Sequence, residues 1–187
     1  MESTCPKDVL SLIEKANGEK LEVYINSGGG SVFAGSEIYS ALRDYEGQVE
    51  IHVVGIAASA ASVIACASSS DISPTATLMV HNPALRADGD FHDMDKTSKI
   101  LQEVGKTIAA AYVAKTGMSE AEALKLMDNE TWLTAEKAVE IGLIDAISKP
   151  KNLQMVAAQD NVMLPLAVVE KIRNTVKPPL NEADIFM

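Results

Sequence analysis

Ser59 and His81 are the two side chains whose types and positions best fit nucleophilic catalysis. Ser59 lies in the glycine- and alanine-rich stretch Gly55–Ser62, between a predicted strand and a predicted helix. A serine nucleophile needs a base in reach, a third group that holds the base, and donors for the developing oxyanion. His81 is the candidate base, and Asp128–Glu130 supplies candidate acids. The structural alternative for Ser59 is a tightly packed core helix, which alanine- and serine-rich sequences often form.

The surrounding elements predict that these residues meet at one edge of a sheet. Three predicted strands alternate with helices: Leu21–Asn26, Val49–Val54 and Thr77–Val80. This alternation favours a parallel sheet with right-handed crossovers. The glycine turn Ser27–Ser31, Ser59 and His81 each lie just past the end of one of these strands. Ligands of open α/β sheets gather at the carboxyl ends of strands, so we predict a site there.

The glycine turn does not match a nucleotide-binding loop. Phe33 stands where a dinucleotide-binding fingerprint beginning at Gly28 and Gly30 would have its third glycine, and no Gly-Lys-Ser/Thr sequence follows. We expect a loop whose backbone N–H groups face a substrate, with a simple tight turn as the alternative.

Helical spacing and capping residues predict the remaining elements. Helices are expected at Asp8–Ala16, Val32–Tyr45, Asp93–Lys115, from the Ser119/Glu122 capping box to Met127, and from Thr134 to Gly142. Turns or loops are expected at Asp71–Pro74, Ala84–Phe91 and Asp128–Trp132. Residues 1–147 are predicted to form one domain and residues 148–187 an appendage, with a helix at Leu164–Val176 and a mobile end.

Composition limits the classes of function. The net charge of −10 argues against nucleic-acid binding, and 47% hydrophobic with 4% aromatic residues fits an α/β core. Cys5 and Cys66 form no disulfide framework, and no membrane span or signal peptide is found. We therefore expect a cytoplasmic, soluble protein that acts on peptide or protein.

The remaining histidines and the single tryptophan are expected to be structural. His52 falls within a strand and His92 in a polar loop, and neither has a partner at useful spacing. Trp132 is interpreted as a packing anchor. With three histidines and no clustered ligand motif, neither a metal site nor a cofactor is expected.

Four segments, in order, resemble those of the Clp protease proteolytic subunit family. They are Ile25–Val32, Gly55–Ser59, Leu78–Pro83 and Trp132–Asp145. The resemblance implies a crotonase-like α/β fold of repeated ββα units with a mostly parallel sheet, serine peptidase activity, and assembly into homo-oligomeric rings. It places the nucleophile on Ser59, the base on His81, and the oxyanion-hole N–H groups on Gly30 and Ala60. A gapless alignment places the triad acid on Glu130, where the family has aspartate, and Asp128 is the competing candidate.

Departures from the family pattern suggest a more specific role. Gly28 replaces a usual proline, and the charged segment Arg86–Asp90 replaces a glycine-rich, substrate-pairing strand. Ala57–Ser62, Val80–Pro83 and Glu130–Glu136 resemble the Clp-like head maturation proteases of phages and prophages, which process capsid and scaffold proteins without an ATPase. The family's first strand is not found ahead of the first helix, so a truncated chain is expected.

The sequence leaves three alternatives open. One is the proteolytic subunit of an ATP-dependent Clp protease, which leaves an ATPase partner open. Another is a crotonase-type acyl-CoA enzyme, although such an enzyme needs no serine at position 59. The third is an inactive structural homologue.

Overall fold

The computed structural model describes residues 4–149, which contain six helices and six strands. In chain order these are α1 (Pro6–Ala16), β1 (Leu21–Ser27), α2 (Val32–Arg43), β2 (Val49–Ala58), α3 (Ala60–Ala65), β3 (Ser69–Ile72), β4 (Thr77–Val80), α4 (Phe91–Thr116), α5 (Glu120–Asp128), β5 (Thr131–Thr134), α6 (Ala135–Glu140) and β6 (Ala146–Ile147). The appendage predicted from residue 148, including its helix, lies outside the described residues apart from Ser148 and Lys149.

The six strands form one mostly parallel sheet. Its order is β5-β4-β2-β3-β6, and β1 pairs with β2. Every pairing is parallel except that of β4 with β5. The predicted α/β class and mostly parallel sheet are therefore confirmed.

Strand β2 is the longest strand, and it carries the chain to Ser59. Val49, Ile51 and Val53 are buried, whereas the alternate residues are at least partly exposed, as a strand with one face on the core requires. The strand continues four residues past the predicted end at Val54. Residues Ile56–Ala58 of this strand pair with β4, which holds the glycine- and alanine-rich stretch extended.

The two short strands β3 and β5 correct two expectations from the sequence. Asp71 was assigned to a turn, but it lies in β3 beside His52, and its carboxylate is 2.8 Å from His52 Nδ1. The expectation that His52 has no partner was therefore wrong. Trp132, assigned to a loop as a packing anchor, lies in β5 with 56% of its surface exposed, so it does not anchor the core. Ser69, Ser70 and Asp71 are residue types that favour turns, and Trp132 comes soon after the polar residues 128–130, so neither segment is recognised as a strand from the sequence.

The helix ends follow the predicted capping chemistry. Ser119 and Glu122 form a capping box at α5, and the Thr134 hydroxyl accepts the N–H of Lys137 at α6. Helix α4 begins two residues earlier than expected because Asp90 and Asp93 form a second capping box. Its end is set by a glycine with a φ of 76°.

The end of the described chain is tied to the sheet by Asp145. Its carboxylate accepts the backbone N–H of Ser70 at 2.7 Å and also pairs with the Lys115 ammonium, which is nearly buried. Burial acts to raise the pKa of Asp145, but the hydrogen bonds from Lys115 and Ser70 outweigh it and lower that pKa. No helix within residues 4–149 is long and apolar enough to cross a membrane.

Candidate active site

Ser59 and His81 meet at the carboxyl ends of β2 and β4. Ser59 directly follows β2, and His81 directly follows β4. The backbone N–H of Ser59 donates to the carbonyl of Met79 at 3.0 Å, which fixes the serine turn to β4. Ser59 Oγ lies 2.8 Å from His81 Nε2, within hydrogen-bond distance. Parallel pairing of the two strands thus places a hydroxyl and an imidazole in the geometry of a nucleophile and its base.

The backbone of Ser59 is strained. Its φ of 56° and ψ of −126° lie in a region that residues other than glycine rarely adopt. Such a conformation costs about 1–3 kcal/mol and persists only where the surroundings hold it. The sharp turn separates β2 from α3 and presents the serine side chain beside His81.

The glycine loop lies directly against this turn. A Cβ atom added to Gly29 would lie 2.6 Å from Ser59 Cβ and 3.1 Å from the backbone nitrogen of Ala60. Gly29 also has a φ of 93°, which favours glycine. The predicted oxyanion-hole residues therefore belong to adjoining segments, since Gly30 follows Gly29 and Ala60 opens α3. Gly29 was not singled out from the sequence, where nothing distinguishes it from the glycines on either side.

Neither candidate acid is hydrogen-bonded to His81. The Glu130 carboxylate accepts the indole N–H of Trp132 at 3.4 Å, and Asp128 accepts the side-chain amide of Asn82 at 2.8 Å. Within residues 4–149, the only hydrogen bond of the His81 ring is the one to Ser59. The structure thus brings two of the three predicted catalytic residues together. Asn82, which holds Asp128 beside the site, was missed by the sequence reasoning, although its position next to His81 could have drawn attention to it.

One concave region includes the Ser59–His81 pair, and a second begins at Asn82, the residue after His81. A small cavity of about 10 Å³ is lined by both residues together with Ala60, Tyr112 and apolar side chains. A groove of about 740 Å³ runs from Asn82 and Pro83 between the 83–90 loop, α4 and α5. Its lining mixes Leu85, Met94, Leu101 and Leu124 with polar groups, among them Lys106 and Asp128. A groove of this size can hold several side chains of an extended peptide.

Within the part of the chain that the structure describes, one cluster contains residues of the types that bind metal ions. Glu22, Glu50 and His52 each place a ligand atom within 4.8 Å of the others on the face of β1 and β2. The Lys20 ammonium lies 2.7 Å from a Glu50 oxygen and 3.6 Å from a Glu22 oxygen. One lysine ammonium therefore already pairs with both carboxylates.

Comparison with known proteins agrees with this geometry. A family model described as Clp protease matches residues 2–151. The chain belongs to the Clp protease family. It is 31% identical over 148 residues to the ATP-dependent Clp protease proteolytic subunit of Bacteroides fragilis, an alignment that covers 78% of this chain and 72% of the relative. It is 33% identical over 135 residues to the ATP-dependent Clp protease proteolytic subunit 1 of Chlamydia abortus, with 70% of each chain covered.

Membership of the Clp family confirms the resemblance drawn from the four sequence segments. Clp proteases are serine endopeptidases, so the predicted class of enzyme, a hydrolase of peptide bonds, is confirmed as well. The family also implies peptide substrates and oligomeric rings.

Proposed function

We propose that this chain cleaves polypeptides with Ser59 as nucleophile and His81 as general base. The observation that carries the proposal is the 2.8 Å distance between Ser59 Oγ and His81 Nε2 on a strained strand-to-helix turn. In the first step the Ser59 hydroxyl donates its proton to Nε2 while Oγ forms a bond to the scissile carbonyl carbon. Nε2 then returns the proton to the leaving amine, and water hydrolyses the acyl-enzyme by the same route.

The backbone N–H groups of Gly30 and Ala60 are proposed as donors to the oxyanion. The close approach of Gly29 to Ser59 and Ala60 supports this assignment, because it leaves little space between the glycine loop and the start of α3. Two preorganised N–H donors at such a position typically provide a large part of the stabilisation of a tetrahedral intermediate.

Glu130 is proposed as the acid that orients His81. In the alignment of the family segments it occupies the position of the family's aspartate, and it lies at the turn between α5 and β5 with a φ of 44°. To act, its carboxylate must give up the hydrogen bond from the indole N–H of Trp132 and accept one from the second ring nitrogen of His81. Asp128 is the second candidate, because it accepts the side-chain amide of Asn82, the residue that directly follows His81.

The substrate is proposed to be a polypeptide that lies in the groove beside His81. Within the family, the charged 86–90 segment and the resemblance of three segments to phage enzymes favour a head maturation protease that processes capsid or scaffold protein without an ATPase. The names of the relatives favour a second candidate, the proteolytic subunit of an ATP-dependent protease. Either role would be carried out by a homo-oligomeric ring.

Covalent labelling tests the catalytic proposal. The full chain is treated with a fluorophosphonate probe and digested, and the adduct is located by mass spectrometry, with Ser59→Ala and His81→Ala as controls. We expect an adduct on Ser59 that is lost in both variants, because the hydroxyl is absent in one and is not deprotonated in the other. A folded wild-type protein that takes up no probe would support an inactive structural homologue.

Nucleotide dependence separates the two biological roles. A permanently unfolded, fluorescein-labelled casein and a native fluorescent protein are offered to the assembled enzyme without any ATPase, and the oligomer is sized by native mass spectrometry. An ATP-independent maturation protease is expected to cut accessible, flexible chains in this assay. Activity that appears only after a Clp ATPase and ATP are added would favour the second role.

A further inference from the structure

A buried hydroxyl pair lies directly beneath the proposed nucleophile. Ser62 is completely buried, and its Oγ lies 2.6 Å from the backbone carbonyl oxygen of Ser59 and 2.8 Å from the hydroxyl oxygen of Tyr112. Tyr112 comes from α4 and is itself almost completely buried. Burying a hydroxyl group without a hydrogen bond raises the free energy of the folded state. We therefore expect these two hydroxyl groups to be linked in a series of hydrogen bonds.

The direction of the bonds follows from counting hydrogens. A carbonyl oxygen can only accept, so the single hydrogen of Ser62 Oγ must be donated to Ser59. Tyr112 must then donate to Ser62 rather than the reverse. Burial raises the pKa of Tyr112, which keeps its hydroxyl protonated and able to donate. Hydrogen bonds in series polarise one another, so the first bond of the chain strengthens the second.

The Ser59 carbonyl, which ends this series of hydrogen bonds, shares a peptide plane with a proposed oxyanion donor. The C=O of Ser59 and the N–H of Ala60 belong to one trans peptide, and they point in opposite directions. The same carbonyl also accepts the backbone N–H of Ser62 at 2.9 Å. Because the two groups point in opposite directions, the bonds that hold the Ser59 carbonyl towards Ser62 also make the Ala60 N–H point away from Ser62. As the first residue of α3, Ala60 has no helical carbonyl to receive that N–H.

We propose that Ser62 and Tyr112 are positioning residues that fix the Ser59–Ala60 peptide in the orientation required for the oxyanion hole. The strained φ and ψ of Ser59 show why support is needed, because rotation of this peptide would relieve the strain and turn the Ala60 N–H away from the substrate. Neither side chain has to touch the substrate. This inference rests on the proposed catalytic role of Ser59.

Enzyme kinetics provide the test, with variants that remove the hydroxyl groups one at a time. Ser62→Ala, Tyr112→Phe and the double variant are compared with wild type on a fluorogenic peptidyl aminocoumarin, at a temperature where circular dichroism shows each to be folded. Tyr45→Phe is the matched control, because it removes another tyrosine hydroxyl that donates, at 2.8 Å, to the carbonyl of Glu19.

Loss of support for one oxyanion donor should act on kcat and leave KM within about twofold. We expect kcat to fall about tenfold in Ser62→Ala, less than the ~100-fold or more that follows complete removal of such a donor. Tyr112→Phe should reduce kcat by a smaller factor, and Tyr45→Phe should leave it unchanged. Since Tyr112 acts through Ser62, the double variant should match Ser62→Ala rather than show the product of the two effects.

Two kinetic outcomes would overturn the proposal: an unchanged kcat in the folded single variants, or independent effects that multiply in the double variant. If Ser62→Ala does not fold, the kcat of Tyr112→Phe is compared with that of Tyr45→Phe, and this comparison decides the question. A crystal structure of Ser62→Ala, or of Tyr112→Phe in its place, separates this inference from the catalytic proposal. A rotated Ser59–Ala60 peptide supports the positioning role even if wild type takes up no fluorophosphonate, and an unrotated peptide refutes it.

Discussion

Replacing Gly29 by alanine should disable the site, whereas the same change one residue earlier should not. A Cβ at Gly29 would lie 2.5 Å from the carbonyl oxygen of Ala58 and 2.6 Å from Ser59 Cβ. At Gly28 it would meet no atom within 4 Å, and Gly28 is not among the glycines with positive φ. Both variants therefore add one methyl group to the same loop. Gly29→Ala adds it at a crowded position, and Gly28→Ala adds it at an open one.

The size of the effect follows from these distances. To regain an ordinary 3.4 Å contact, the Ser59 turn and the glycine loop must separate by about 0.9 Å. A misplacement of about 1 Å at reacting groups costs roughly 100-fold in rate. The φ of 93° adds strain of about 1–3 kcal/mol. Together with the overpacking, we expect the free energy of unfolding to fall by about 3 kcal/mol.

Two measurements check this expectation. Thermal unfolding followed by circular dichroism should show a Tm about 10 °C lower for Gly29→Ala, and fluorophosphonate labelling of Ser59 should slow by about 100-fold. Gly28→Ala should stay within about 0.5 kcal/mol of wild type, as surface substitutions usually do. Equal labelling rates for the two variants would refute the contact between the glycine loop and the Ser59 turn.

Three further predictions concern the acid, the Asp145 pair and the cysteines. Glu130→Gln should lower kcat/KM by about 100-fold or more while Asp128→Asn changes it by less than about threefold, and the reverse order would transfer the role to Asp128. Because hydrogen bonds from Lys115 and the backbone lower the pKa of Asp145, its ionised form stabilises the fold above the ordinary pKa of 3.8, and this stabilisation is lost as pH falls through the lowered value. Denaturant unfolding of Asp145→Asn should therefore show a loss of about 1 kcal/mol at pH 7 that disappears in strong acid, whereas a pH-independent difference would contradict the pairing. Burial raises the pKa of the Cys66 thiol to about 12, so a thiol reagent should modify one cysteine in the native protein and both in denaturant; modification of both without denaturant would contradict its burial.

The sequence was sufficient to predict three parallel strands of the sheet and to bring Ser59 close to His81. Both depend on features that local patterns carry: β-branched strands that alternate with helices, and polar residues placed directly after strands. The Ser119/Glu122 capping box predicted the start of α5 for the same reason, since it involves residues three positions apart. Strand β3 was missed because Ser69, Ser70 and Asp71 are residue types that favour turns, and β5 was missed because its pairing depends on the distant strand β4. The partner of His52 was missed with β3, because Asp71 meets it only through strand register.

Sequence alignment alone is not sufficient to assign the acid that orients His81. Sequence spacing assigns Glu130 to the position of the family's aspartate, but a side chain is directed by its backbone, and Glu130 has a φ of 44° that no local pattern predicts. Its carboxylate then lies with Trp132, an exposed residue in a strand that the sequence did not reveal. Asp128 is held by Asn82, a contact between residues 46 positions apart. The partners of Glu130 and Asp128 are thus set by hydrogen bonds to carboxylates, each worth about 1.5–3 kcal/mol, between groups that only the tertiary structure brings together.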